Sequence, residues 1–316
     1  MNNILIVDKL SKTYRSAFFR IKHRGIDNIS FTINEGEIFG LLGPNGAGKT
    51  TILKIIVGIL RADVGKLLLN NISVNNIEYK KLIGFLPENP YFHNYLTAYE
   101  FLSISGSLWG LRGIKLKDRI SEVVKLTGLS RFDIEKMKIK YYSKGMIQRL
   151  GIAHAILNNP PLIIFDEPLS GLDPIGRKEV RDIILELKKD GKTVIFSSHI
   201  LQDVEMICDR VGIIAKGELI RVGVLEEMLA NPKGYYEVKI ELQDVHNVSE
   251  LTKYGKIMDI EGNKVFLLTE SERQKDELIR MMFTNIKGRI IKLLPLQRNL
   301  EDEFMSLFRT CNNDEK

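Results

Sequence analysis

The stretch Ile38-Phe39-Gly40-Leu41-Leu42-Gly43-Pro44-Asn45-Gly46-Ala47-Gly48-Lys49-Thr50 decides how the rest of the chain is read. Ile38–Leu42 is near-continuously apolar, as a strand buried on both faces must be. Gly43–Thr50 follows the pattern G-x-x-x-x-G-K-[ST]. A helical pattern comes next, with Ile52, Ile55, Ile56, Ile59 and Leu60 on its expected buried side. The glycines let backbone N–H groups turn inward around phosphate oxygens, and the helix N-terminus adds roughly half a positive charge. Lys49 is placed to reach the β- and γ-phosphates, and the Thr50 hydroxyl to ligate Mg²⁺. The expected nucleotide contacts are Gly43, Pro44, Asn45, Gly46, Ala47, Gly48, Lys49, Thr50 and Thr51. A chance glycine-rich turn is the bland alternative, and the match of the whole loop between a strand and a helix argues against it. Alone, the loop implies nucleotide binding without separating a kinase, a GTPase and a motor.

Outward from the loop, short apolar runs alternate with amphipathic helical patterns. Leu162–Phe165, Thr193–Phe196 and Val211–Ala215 read as further buried strands. Between the first two, Val180, Ile183, Ile184 and Leu187 share a helix face, Lys188 and Lys189 fill the last turn, and Gly191 stops it. This alternation predicts an α/β fold with a parallel sheet. Residues of roughly 88–158 are mainly helical in pattern.

Asn231-Pro232-Lys233-Gly234 then punctuates the chain, and a different style follows. Tyr235–Leu242 alternates like a strand and Val248–Tyr254 suits a short helix. Lys256–Ile260 and Lys264–Leu268 flank the hairpin signal Glu261-Gly262-Asn263. Ser271–Thr284 reads as a helix, Arg289–Leu294 as a strand and Leu300–Phe308 as a last helix. The order βαββαβ predicts a small ferredoxin-like α+β appendage over 231–316, after a nucleotide-binding domain over 1–230.

Composition adds bounds. The chain has 316 residues, 44% of them hydrophobic, and a net charge of +6. That surplus suits a phosphate ligand or simply a solvated surface, and nucleic acid is not expected as a partner. No run approaches the roughly 18 apolar residues of a membrane span, and the N-terminus does not read as a signal peptide, so a cytoplasmic location is expected. Cys208 and Cys311 lack metal spacing and read as buried or incidental thiols.

Leu162–Phe165 runs into Asp166 and Glu167. Ligands of open α/β sheets sit at such strand ends. Asp166 is placed to hold the magnesium shell, and Glu167 to polarise a water against the γ-phosphate. Two solvated acids or a helix N-cap pair would be the competing account.

With these pieces and three further segments, residues of about 3–225 resemble the ABC ATPase family. Tyr142-Ser143-Lys144-Gly145-Met146, followed by Ile147-Gln148-Arg149-Leu150, looks like the signature motif opening a helix. Ser170-Gly171-Leu172-Asp173 looks like the D-loop. His199 in Phe196-Ser197-Ser198-His199 looks like the switch histidine, and Tyr14 like the aromatic on which adenine stacks. The resemblance implies a P-loop α/β core with an antiparallel β subdomain and a helical subdomain over about 88–158. It implies ATP and Mg²⁺ as ligands. It makes Glu167, His199 and Lys49 the catalytic set, with metal held by Thr50, Asp166 and Glu88. It further implies that Ser143 and Gly145 clamp ATP held by a second copy, so that ATP joins a homodimer.

Two departures stand out. Glu88 occupies the place of the family's usual glutamine, bringing a full negative charge beside the γ-phosphate. Lys144 replaces the first signature glycine, and Met146 the final glutamine; Lys144 reads as a solvated residue more than as an extra cation in the clamp. These variants, with the appendage, resemble the exporter branch, whose ATPase subunits sit on the inner face of the membrane against a separate integral permease. A non-transport relative acting on ribosomes or nucleic acid is the alternative, and a small-molecule kinase a third reading. The aromatic-rich stretch from Pro90 to Trp109 is read either as a groove for a permease helix or as packing of the helical subdomain. Arg15–Arg24, basic with two phenylalanines, reads as a solvated hairpin loop more than as a lipid contact.

Overall fold

The computed structural model describes residues 2–15, 22–229, 234–243, 248–284 and 288–295. Residues 16–21, most of the basic loop, lie outside them, as do Cys311 and the expected last helix Leu300–Phe308. The chain divides into two compact units, Met1–Leu225 and Glu226–Lys316.

In the first unit, strands β1 (Asn3–Arg15) and β2 (Lys22–Asn34) pair antiparallel along their length. With β4 (Val64–Leu69) and β5 (Ile72–Ser73) they form a sheet of order β2-β1-β4-β5. A second sheet has the order β10-β9-β3-β8-β7-β6. Its members are β3 (Ile38–Leu42), β6 (Ile83–Leu86), β7 (Leu162–Phe165), β8 (Thr193–Ser198), β9 (Arg210–Ala215) and β10 (Glu218–Val224). Only β10 runs antiparallel to its neighbour. β3, β7 and β8 are buried along their whole length, which is why they read as unbroken apolar runs.

Helix α1 (Lys49–Val57) buries Ile52, Leu53, Ile55 and Ile56 in the core shared with both sheets. Ile59 is a correction: it is 66% exposed. Gly58, at φ 77, ends the helix in a left-handed turn, so the next residue leaves the buried face. The fully buried Tyr79 on α2 (Ile77–Lys81) donates to Ile56 O at 2.7 Å and satisfies one of the last carbonyls of α1.

The segment expected to be helical holds α3 (Ala98–Leu108), α4 (Gly113–Leu126) and α5 (Lys144–Ile156), with short 3₁₀ turns between. Thr97 and Glu100 close a reciprocal capping box on α3. Arg149 of α5 donates to Thr127 O at 2.7 Å and pairs with Glu179 of α6 (Pro174–Lys189). Asp173 caps α6 by accepting from Gly176 N, with Pro174 at the first helical position. α7 (Leu201–Ile207) links β8 to β9, and α8 (Leu225–Leu229) follows β10.

The second unit runs β11 (Tyr236–Leu242), α9 (Val248–Leu251), β12 (Lys256–Glu261), β13 (Lys264–Thr269), α10 (Glu272–Thr284) and β14 (Gly288–Pro295). Its sheet order is β12-β13-β11-β14, with antiparallel neighbours throughout. This is the ferredoxin-like arrangement. Val238, Ile240 and Leu242 alternate inward and meet Val265, Leu267 and Leu278 in a core of their own.

Candidate functional site

Parallel register puts the chemistry at the C-terminal ends of neighbouring strands in the second sheet. Leu42 pairs with Ser198, and Phe165 with Phe196, so the segments leaving β3, β7 and β8 emerge side by side. These segments carry the phosphate loop, the two acids and His199.

The loop between β3 and α1 is held by its own backbone and its neighbours. Ala47 N donates to Pro44 O at 3.2 Å, and Gly217 N to Ala47 O at 3.0 Å. Gly48 sits at φ 109, a conformation that an L side chain rarely adopts, and a Cβ there would come within 2.8 Å of Ile26. The buried Lys49 ammonium donates to Gly43 O at 2.7 Å and Pro44 O at 3.3 Å, and lies 3.2 Å from Glu167 Oε1. That buried carboxylate oxygen takes no hydrogen bond. The other oxygen, Oε2, lies 2.9 Å from His199 Nδ1. Glu167 holds this position at φ 51, an uncommon conformation for a residue with a Cβ.

Asp166 is 1% exposed. Its Oδ1 accepts from Ser197 Oγ at 2.7 Å and Thr50 Oγ1 at 3.2 Å. Burial pushes its carboxyl pKa above the usual range, and the two hydroxyls act in the opposite sense. Thr50 and Asp166 set hydroxyl and carboxylate oxygens together, the donor chemistry that suits a hard cation such as Mg²⁺. Glu88, an exposed residue just beyond β6, lines the same cleft.

The cleft, of about 490 Å³, is walled by Asn45–Thr51 together with Tyr14, Gly25, Glu88 and Glu167. Tyr14 is 42% exposed, and its hydroxyl lies 3.1 Å from Thr51 Oγ1. Its ring packs against Gly25, where a Cβ would approach it to 2.6 Å.

Ser143 and Gly145 do not line this cleft. Ser143 is exposed and caps α5, accepting from Met146 N at 3.3 Å. Lys144 is also exposed, and its side chain folds over Gly171, which sits at φ 66. Two polar residues that the sequence reading passed over complete the region. The buried Gln148 of α5 donates to Pro168 O at 2.8 Å, tying that helix to the segment after Glu167. Ser197 also accepts from Glu167 N at 2.8 Å. The available signal was a buried hydroxyl at the end of an apolar strand.

A family model described as "ABC transporter" matches residues 26–170. An ABC transporter ATP-binding protein of Synechocystis is 47% identical over 234 residues, which cover 74% of this chain and 66% of that protein. The bacitracin transport ATP-binding protein BcrA of Bacillus licheniformis is 33% identical over 97% of this chain and 98% of its own length. Among solved structures, the dimeric post-hydrolysis state of the ATP-binding cassette MJ0796 bound to ADP and Pi is 29% identical, with a TM-score of 0.63. That likeness covers 70% of this chain and 98% of that one.

Proposed function

The chain belongs to the ABC transporter family of ATP-binding proteins and is an ATPase, and from that premise we propose that it powers export through a separate integral membrane permease. The observation that carries the ATPase chemistry is the convergence of Lys49 and His199 on the Glu167 carboxylate, beside the Thr50–Asp166 pair. The similarity to a bacitracin transport ATP-binding protein over nearly the full chain supports a role in transport.

In this reading the loop amides and Lys49 bind the ATP phosphates, and Tyr14 stacks on adenine. A phosphate that takes the Lys49 ammonium releases Glu167 from its ion pair. Glu167 then orients a water in line with the γ-phosphorus and takes its proton. The new P–O bond forms as the bond to the bridging oxygen of ADP breaks, giving ADP and inorganic phosphate. His199 fixes the Glu167 carboxylate and faces the γ-phosphate. Thr50, Asp166 and Glu88 would hold Mg²⁺, which supplies charge neutralisation on the phosphate oxygens.

Ser143 and Gly145 fit a role in trans. They sit at the N-terminus of a 13-residue helix, where amide groups and the helix dipole favour phosphate. Two copies closed head to tail on two ATP molecules would therefore each complete the other's pocket. Trp109, His154 and Phe85 line a cleft of about 590 Å³ between β6 and the helical segment, which fits a cytoplasmic helix of the permease. Among the described residues, no helix is long and apolar enough to cross a membrane. The test is co-purification. An integral membrane protein is expected to travel with the tagged chain and to raise its ATPase rate. Recovery with ribosomes instead would overturn the transport reading.

A further inference from the structure

We infer that Ser197 is a positioning residue of the ATPase, fixing Asp166 and Glu167 together through one hydroxyl; the inference rests on the ATPase reading of those two acids. Ser197 is fully buried at the end of β8. Its single O–H donates to Asp166 Oδ1, and a lone pair accepts the Glu167 N–H, so both bonds are made at once. The first bond sets the carboxylate read as a magnesium ligand. The second holds the backbone of a residue in the left-handed region, and its φ of 51 decides where the Glu167 carboxylate points. That carboxylate meets Lys49 at 3.2 Å and His199 at 2.9 Å, so a small backbone rotation displaces both contacts.

Thr50 is the other hydroxyl on Asp166 Oδ1, and in this reading it turns to the metal. Ser197 is then the partner that stays. It also lies on the strand leading to His199, and so couples the histidine's segment to the acids. An alanine there would leave the buried Glu167 N–H without its acceptor and Asp166 without its constant donor, a cost that buried polar groups do not avoid by relaxation alone.

The experiment compares Ser197→Ala and Ser197→Cys, which lose the strong donor, with Ser197→Thr, which keeps a hydroxyl. Turnover by alanine or cysteine is expected to fall about 10–100-fold, with a similar rise in the Mg²⁺ concentration that half-saturates the rate. A second readout needs no turnover. In a Glu167→Gln background, Mg²⁺ titration of fluorescent-ATP binding should show the same shift. Threonine should recover most of both effects. Because Ser197 acts through Glu167, alanine should add little to the rate loss of Glu167→Gln. A wild-type rate and Mg²⁺ requirement in both donor-free variants, with Glu167→Gln inactive, overturns the role of Ser197 and leaves the ATPase reading standing. So does a loss of melting temperature with no change in Mg²⁺ requirement. If Glu167→Gln itself turns over normally, the ATPase reading of the site fails first.

Discussion

Helices α1 and α5 both open beside glycine and a lysine, yet their surroundings differ. At α1, Lys49 is buried and pairs with Glu167, which also meets His199, while Thr50 of the same first turn bonds Asp166. At α5, Ser143 and Lys144 are exposed, and among the described residues the Ser143 hydroxyl bonds within its own helix. One N-terminus lies beside two acids and a histidine. The other offers backbone amides, with no acid bonded to Ser143 among the described residues. The contrast teaches that a helix N-terminus supplies affinity for phosphate, whereas chemistry needs a second strand end delivering acids to the same spot. It also suits a division of labour in which the bare terminus serves another molecule's nucleotide.

The largest expected effect falls on the crowded side. Glu167→Gln should lower phosphate release about 10²–10⁴-fold, while light scattering in ATP shows dimers that persist. Normal turnover in that variant would remove the contrast altogether. Next comes the bare side. Ser143→Arg should abolish ATP-driven pairing and lower turnover by about 10²-fold, the scale of losing one preorganised donor. Binding of fluorescent ATP to the monomer should change little. If pairing survives, α5 does not serve a partner.

Tyr14→Ala should weaken ATP binding by roughly tenfold, since base stacking on an aromatic ring contributes about 1–3 kcal/mol; equilibrium binding at fixed Mg²⁺ measures it. The smallest effect is on stability. Burial raises the pKa of Asp166, so its ionised form opposes folding. The penalty is absent at pH below its unfolded value near 3.8 and sets in as pH rises through the higher folded value. Asp166→Asn should therefore raise the melting temperature of the nucleotide-free protein at neutral pH, with the gain vanishing in acid, although turnover is lost. Melting curves across pH decide it.

How far the sequence reveals this contrast depends on how local each feature is. The phosphate loop, its strand and the Asp166-Glu167 pair sit in continuous stretches whose periodicity and glycines declare them. The order of the second unit's elements follows likewise from short, well-punctuated runs. Ile59 was misread because the pattern continues past Gly58, whereas the backbone turns there. Ser197 shows in the sequence only as a hydroxyl closing an apolar strand, because its partner Asp166 lies 31 residues away and the pairing depends on the β7–β8 register. The sheet order β10-β9-β3-β8-β7-β6 is equally non-local, since crossovers leave no mark in any one window. The proposed trans role of Ser143 rests on the resemblance to the family, because its nucleotide would belong to another molecule.

The backbone at Gly171 constrains how this protein can change over generations. Gly171 holds φ 66, where an added side chain is strained whatever the space around it. The Lys144 amine lies where a Cβ would stand, yet it is the far end of a flexible, exposed side chain and can swing aside. The cost of replacing Gly171 is therefore set by backbone conformation, which asparagine and aspartate tolerate better than β-branched residues. Mutational libraries at position 171 should keep asparagine ahead of valine and isoleucine, and alike in this chain and in its Lys144→Gly variant.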